Sequence, residues 1–141
     1  MADLSRFVEA QAATYQTALA ELRRGRKESH WMWFVFPQIQ GLGSSPTARF
    51  YAIADLAEAE AYLAHPVLGP RLREVVSVIN TLPGDDAHAV FGSPDDLKLR
   101  SSLTLFQAAA PDEAVFGEAL AKYFGGAPDE RTLERLRPNH R

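Results

Sequence analysis

No cysteine occurs among the 141 residues, which excludes a disulfide framework, a thiolate nucleophile and a thiolate metal site. Long apolar runs are missing as well. The longest, at 31–36, stops at Pro37, far short of the about 20 residues that a membrane-spanning helix needs. The opening residues, MADLSRF, carry an acid early and no basic stretch leading into an apolar one, so they do not read as a secretory signal. The expected location is the cytoplasm. An excess of positive charge is also lacking: 15 Lys and Arg face 18 Asp and Glu, for a formal charge of −3. That sign disfavours general nucleic-acid binding, while remaining compatible with a local basic patch. The four histidines, at 30, 65, 88 and 140, show no metal-ligand spacing and no HExxH motif, and there is no GxSxG elbow. A metalloenzyme or serine hydrolase of the common kinds is therefore not expected.

What is present is the composition of a packed domain, 46% hydrophobic and 23% charged. A chain of this length suits one domain, 1–141, that removes roughly two-thirds of its unfolded surface from water. Leu4, Phe7, Val8, Gln11, Tyr15, Leu19 and Leu22 fall on one helical face, with Asp3 as a candidate cap and Gly25 as a stop. The run SHWMWFVFPQ is apolar at every position from 31 to 36, so periodicity alone leaves strand and helix open. Helical segments on both sides favour a short helix capped by Ser29. Ser45-Pro46 and Ser93-Pro94 each read as a capping serine followed by a first-turn proline, and Asp55 opens an alanine-rich helix that Pro66 ends. Valines and isoleucines recur at helical rather than alternating spacing. The fold expected is all-α, a compact bundle of about seven short to medium helices.

Several polar residues sit where a core helix does not need them. Gln11 lies in the apolar stripe of the first helix, where it serves either a structural hydrogen bond or a ligand. Lys27 and His30 are three apart, just before the aromatic run, and would share a face if a helix began ahead of Ser29. His30 then reads as a general acid or base, or as a core histidine bonded to a carbonyl. Trp31 and Trp33 must point in different directions, so one packs in the core while the other can border a cleft. The loop QIQGLGSS, with Gln38 and Ser45, offers backbone N–H groups before a helix. It nevertheless lacks the third glycine of a dinucleotide loop and the Lys-Ser/Thr pair of a phosphate loop. In the 95–104 segment, Asp95, Lys98 and Ser102 lie together on a helix with Ser101 flanking them, while Arg100 and Thr104 point elsewhere. Small hydroxyls beside a lysine signal either close packing around an Asp95–Lys98 ion pair or a ligand.

RFVEAQ (6–11), GRKESHWMWFVFPQIQGLGSS (25–45), EAEAYLAHPVLGPRL (58–72), FGSPDDLKLRSSLTLF (91–106) and DERTLERL (129–136) together resemble a family of short bacterial and fungal proteins. That family is catalogued as a domain of unknown function and is sometimes labelled calpastatin. The resemblance covers essentially the whole chain, with Ala52 standing where the family would have glycine. It implies an all-helical domain of this size, and neither an activity nor a catalytic residue. An inhibitor of the calpastatin kind is expected to be largely disordered, unlike a chain of this composition.

Two functional readings are open. In the first, Lys27, His30 and Lys98 supply charge to a pocket for a small anionic, nucleotide-like ligand. Gln38, Ser101 and Ser102 hydrogen-bond it, Trp31 or Trp33 forms a wall, and Ser45 and Asp95 are further candidate ligand-binding residues. In the second, the chain is a non-enzymatic interaction module whose polar residues are paired internally. No particular cofactor is implied by either.

Overall fold

The computed structural model describes residues 3–137, and within them the chain forms nine α-helices and no strand. Helix α1 (Ser5–Arg23) buries Phe7, Gln11, Tyr15, Ala18, Leu19 and Leu22 along the face that the spacing predicts. Asp3 Oδ1 accepts from the Ser5 N–H at 3.0 Å, and Gly25 ends the segment at φ 76°, a left-handed conformation open to a residue without a Cβ. Gln11 proves structural. Its Nε2 donates to the Phe34 carbonyl at 2.7 Å and to the Tyr62 hydroxyl at 3.0 Å. These bonds tie α1 to α2 (Met32–Val35) and α4 (Leu56–Ala64).

The aromatic run is helical for one turn only. Trp31, not Ser29, occupies the N-cap position of α2, and no side chain caps it. Helix α3 (Pro46–Phe50) starts as expected, with Ser45 Oγ accepting from the Ala48 N–H at 3.1 Å and Pro46 in the first turn. Asp55 likewise caps α4 through the Glu58 N–H at 2.9 Å. Helix α5 (Leu68–Thr81) follows after a tight turn, and α6 (Ala87–Phe91) has no counterpart in the sequence reading. Five residues carry too little periodicity to register, although Asp86 caps them at the Ala89 N–H. Helix α7 (Asp95–Ala109) begins without the expected serine cap: Pro94 takes the N-cap position, and Asp96 Oδ1 accepts from the Leu97 N–H at 2.9 Å. Helices α8 (Ala114–Phe124) and α9 (Glu130–Leu136) complete the described chain, the latter capped by Asp129. The described bundle thus has nine helices rather than about seven, because pieces as short as α2, α3 and α6 punctuate the longer ones.

Helix α7 packs against α4, α6, α8 and α9. Trp31, Phe36, Tyr62, Phe106 and Phe116 lie within one continuous core and are fully buried. Each such ring removed from water stabilises the fold by about 2–3 kcal/mol. No helix among the described residues is long and apolar enough to cross a membrane.

The 38–45 loop is irregular yet firmly held. It is pinned at its start by a single parallel bridge between Ile39 and Ile53. There the Ile53 N–H donates to the Gln38 carbonyl and the Gln40 N–H to the Ile53 carbonyl, both at 2.8 Å. Arg6 fixes the partner segment, its Nε donating to the Phe50 carbonyl at 2.8 Å and its Nη2 to the Ala52 carbonyl at 2.9 Å. At the other end the Ser45 cap holds the loop to α3. A loop secured at both ends is a positioned element, not a slack connection.

Candidate functional site

The two stretches singled out in the sequence meet, and Asp95 is where they do. Its Oδ2 lies 2.9 Å from Lys27 Nζ and its Oδ1 3.5 Å from Lys98 Nζ. Lys27 is sealed into this junction. Only 7% of its side chain is exposed, its ammonium donates to the Ser29 carbonyl at 2.6 Å, and it stands 4.9 Å from the centre of the Trp31 ring. A buried ammonium needs such partners, since desolvating an unpaired charge costs several kcal/mol. Lys27 therefore acts as a clamp between the 24–31 turn and α7.

That turn is organised by a residue the sequence reading overlooked. Glu21 is buried, and its Oε1 accepts from the Glu28 N–H at 2.8 Å, the Ser29 N–H at 2.9 Å and the Trp31 indole N–H at 2.9 Å. Its Oε2 accepts from the Ser29 hydroxyl at 2.5 Å. Burial pushes the carboxyl pKa upward, but the bonds from Ser29, Glu28 and Trp31 outweigh it and hold the group at about 2. Ser29 is thus occupied with Glu21, which explains why it caps no helix. Trp31, fully buried, is a packing residue with its N–H satisfied.

The remaining candidates separate by exposure. His30 is exposed on the turn and joins no ion pair or hydrogen bond among the described residues. With no helix spanning 27–30, it does not share a face with Lys27. Ser45 is spent on the α3 cap. Ser102 is buried on α7 with its Oγ unbonded, although serine hydroxyls inside helices ordinarily reach the carbonyl four residues back. Ser101 makes that contact, with the Leu97 carbonyl at 3.2 Å. Trp33 is half-buried. Lys98 Nζ stands 5.1 Å from the Trp33 ring centre, and the crevice that Trp33 lines with Gln38, Gly43 and Tyr51 is only about 10 Å³, room for no more than a water.

An open groove of about 410 Å³ lies alongside, between the 38–45 loop, α7 and the start of α9. Three predicted residues line it: Gln38, Lys98 and Ser101. Arg100 and Arg131 add two cations, and Leu42, Pro94 and Leu97 supply an apolar side on which Leu97 is 58% exposed. The Arg100 guanidinium donates to the carbonyls of Ala127 and Pro128, both at 2.9 Å, so it is oriented without being neutralised. Thr104 holds the same segment, accepting from the Asp129 N–H at 2.9 Å. Arg131 has no ion-pair or hydrogen-bond partner among the described residues. The one carboxylate in the lining, Asp129, is turned into its own helix, Oδ2 accepting from the Thr132 N–H at 3.0 Å and its hydroxyl at 2.6 Å. Asp95, behind the groove, is shared between Lys98 and Lys27 and offsets only one of those two charges, so with Arg100 and Arg131 the groove stays electropositive on a chain of net charge −3. No three His, Asp or Glu side chains among the described residues converge as a metal site requires.

Fold and groove together define a small all-helical protein with a cationic groove beside a glycine loop. The chain belongs to the protein family of unknown function DUF1810, whose family model covers residues 1–136. It is similar to the conserved hypothetical protein Rv1873 from Mycobacterium tuberculosis, known from a crystal structure at 1.38 Å. The two share 54% identity over 95% of this chain and 96% of that one, with a TM-score of 0.93. No curated protein matches the chain.

Proposed function

We propose that the chain binds a small anionic, nucleotide-like ligand in the groove between the 38–45 loop and α7. The observation that carries this reading is the convergence of Lys98, Arg100 and Arg131 on one open hollow whose only carboxylate is committed elsewhere. Guanidinium groups recognise phosphate oxygens in a planar, bidentate manner, and a lysine adds a point charge beside them. Ser101 and Gln38 are placed to hydrogen-bond a polar edge, and the Gln38 amide makes no hydrogen bond among the described residues. Leu42, Pro94 and Leu97 give an uncharged part of the ligand somewhere to lie. Lys27 and Trp31 contribute indirectly, by setting Asp95 and with it the reach of Lys98.

A thermal-shift screen with nucleoside monophosphates and sugar phosphates tests this. A ligand at 100 times its dissociation constant adds about 2.7 kcal/mol to stability, and the double variant Lys98→Met/Arg131→Ser is expected to lose that gain. Arg131 is exposed and without a partner among the described residues. The Lys98 side chain is only 25% exposed, but methionine keeps its apolar stem beside Trp33 while Asp95 keeps Lys27, so the ligand-free melting point of the double variant is the reference for its shift. A shift of equal size in the double variant, or no shift with any compound at low ionic strength, would rule the groove out.

A further inference from the structure

The groove does not end at Arg131. Two further hollows continue around the tip of the same loop, and their linings overlap. One of about 320 Å³ lies between Leu42, Arg131, Glu134 and Arg135, and one of about 370 Å³ is lined by Gln40, Gly41, Gly43, Arg49 and Arg135. Leu42 and Arg131 belong to both the main groove and the middle hollow, while Arg135 belongs to the middle hollow and the last. Around residues 41–43 this makes one track carrying Lys98, Arg100, Arg131, Arg135 and Arg49, with Asp129 and Glu134 the carboxylates of its lining and Asp95 behind Lys98. The far end holds two arginines and no acid.

The loop is shaped around this end. The Arg135 guanidinium lies against Gly41, where an added Cβ would fall 2.3 Å from its Cζ, and its Nη2 donates to the Gly41 carbonyl at 3.4 Å. Gly41 is at φ 94°, so the bend also requires glycine. Arg49, exposed on α3, has no ion-pair or hydrogen-bond partner among the described residues. Five like charges gathered on one rim repel one another, and Arg49 and Arg131 make no hydrogen bond or ion pair among the described residues that would hold them there; an anion bound among the five would relieve that repulsion.

Taking the anion-binding groove as its basis, we infer that Arg49 and Arg135 form a second anionic subsite, and that the ligand carries two separated anionic groups. One group sits in the Lys98–Arg131 groove and the other against Arg49 and Arg135, the chain between them passing over Leu42 and Gly43. The ligand class is accordingly a doubly phosphorylated nucleotide or sugar, or a short polyphosphate, rather than a simple monophosphate.

The test uses the full chain, labelled with nitrogen-15 and titrated at constant ionic strength with inorganic phosphate, then with tripolyphosphate and a longer linear polyphosphate. Phosphate should move the amide signals of Lys98 and Ser101. A spanning polyphosphate should move these together with Gly41 and Arg49, and bind about ten-fold or more tightly, because its second group engages intramolecularly. The double variant Arg49→Ser/Arg135→Ser should lose that gain and keep its phosphate affinity. A polyphosphate that moves only Lys98 and Ser101, or whose advantage survives in the double variant, overturns the second subsite and leaves the groove standing. If neither kind of anion moves Lys98 and Ser101, the groove fails, and the second subsite with it.

Discussion

Glu21→Ala is expected to destabilise the protein by about 4 kcal/mol, since the Trp31 indole and two main-chain N–H groups then lose a charged acceptor inside the fold. Glu21→Gln should behave differently. The amide oxygen can keep the three donors on Oε1, and the amide nitrogen can face the Ser29 hydroxyl, which is free to turn and accept. What the glutamine removes is ionisation. A carboxyl held at about 2 in the folded chain, against an ordinary value near 4.5, stabilises the fold fully above the higher value. That stability is lost as pH falls from about 4.5 towards about 2, and its size is about 3 kcal/mol. Urea unfolding at pH 7 and pH 3 should show the wild type losing part of this increment while Glu21→Gln loses less. Parallel losses in the two proteins would mean that Glu21 is not the acid-sensitive tie. The consequence reaches the groove, because the turn that Glu21 organises carries Lys27, and Lys27 holds Asp95.

Gly69→Ala should cost about 3 kcal/mol, for a wholly steric reason. A Cβ at this position would lie 2.1 Å from the Leu63 carbonyl oxygen, a main-chain atom that cannot rotate away. Alanine would gain about 1 kcal/mol of helix propensity in return, which the collision exceeds. The glycine exists because the chain turns back hard between α4 and α5. There His65 Nδ1 accepts from the Val67 N–H at 3.1 Å and the Leu68 N–H at 3.3 Å, and the Gly69 N–H donates to the His65 carbonyl. Opening this turn would move α4 away from α7, against which it packs. The check is the urea midpoint of unfolding at neutral pH; an unchanged midpoint would mean that the two helices are not held as closely as the 2.1 Å approach requires.

These two residues show where sequence reasoning stops. The apolar face of α1, its end at Gly25, the Ser45 and Asp55 caps and the helical nature of the whole were legible, because each is written in residues a few positions apart. Glu21 was not. An acid beside Leu22 reads as solvent-facing until the chain folds back and brings it donors from seven to ten positions onward. Ser29 reads as a cap for the same reason: a serine before an apolar run is a local signal, and here the carboxylate of Glu21 outcompetes it. A glycine beside a proline, as at Gly69-Pro70, is a local signal for a break in the chain, whereas Gly69 is the contact point of two helices.

The residues that line the candidate groove were half legible on similar grounds. Lys98, Ser101 and Gln38 could be picked out as polar residues set among apolar ones, and the expectation that the Trp run and the Lys-Ser helix meet corresponds to the Lys27–Asp95–Lys98 junction. The junction itself is filled by that ion pair, and the open hollow lies one step away, towards Arg100 and Arg131. Arg131 sits in a charged segment that looks like any solvated helix. Only the return of α9 past α7 makes it part of a patch, and a net charge of −3 hides that patch from composition.

Crystals of the protein soaked in selenate, a phosphate-shaped anion with an anomalous signal, would locate the anion site without assuming a ligand. The strongest anomalous peak is expected between the Lys98 ammonium and the Arg131 guanidinium, absent from Lys98→Met/Arg131→Ser crystals of the same form. Peaks elsewhere with that groove empty at the same selenate concentration would contradict the assignment.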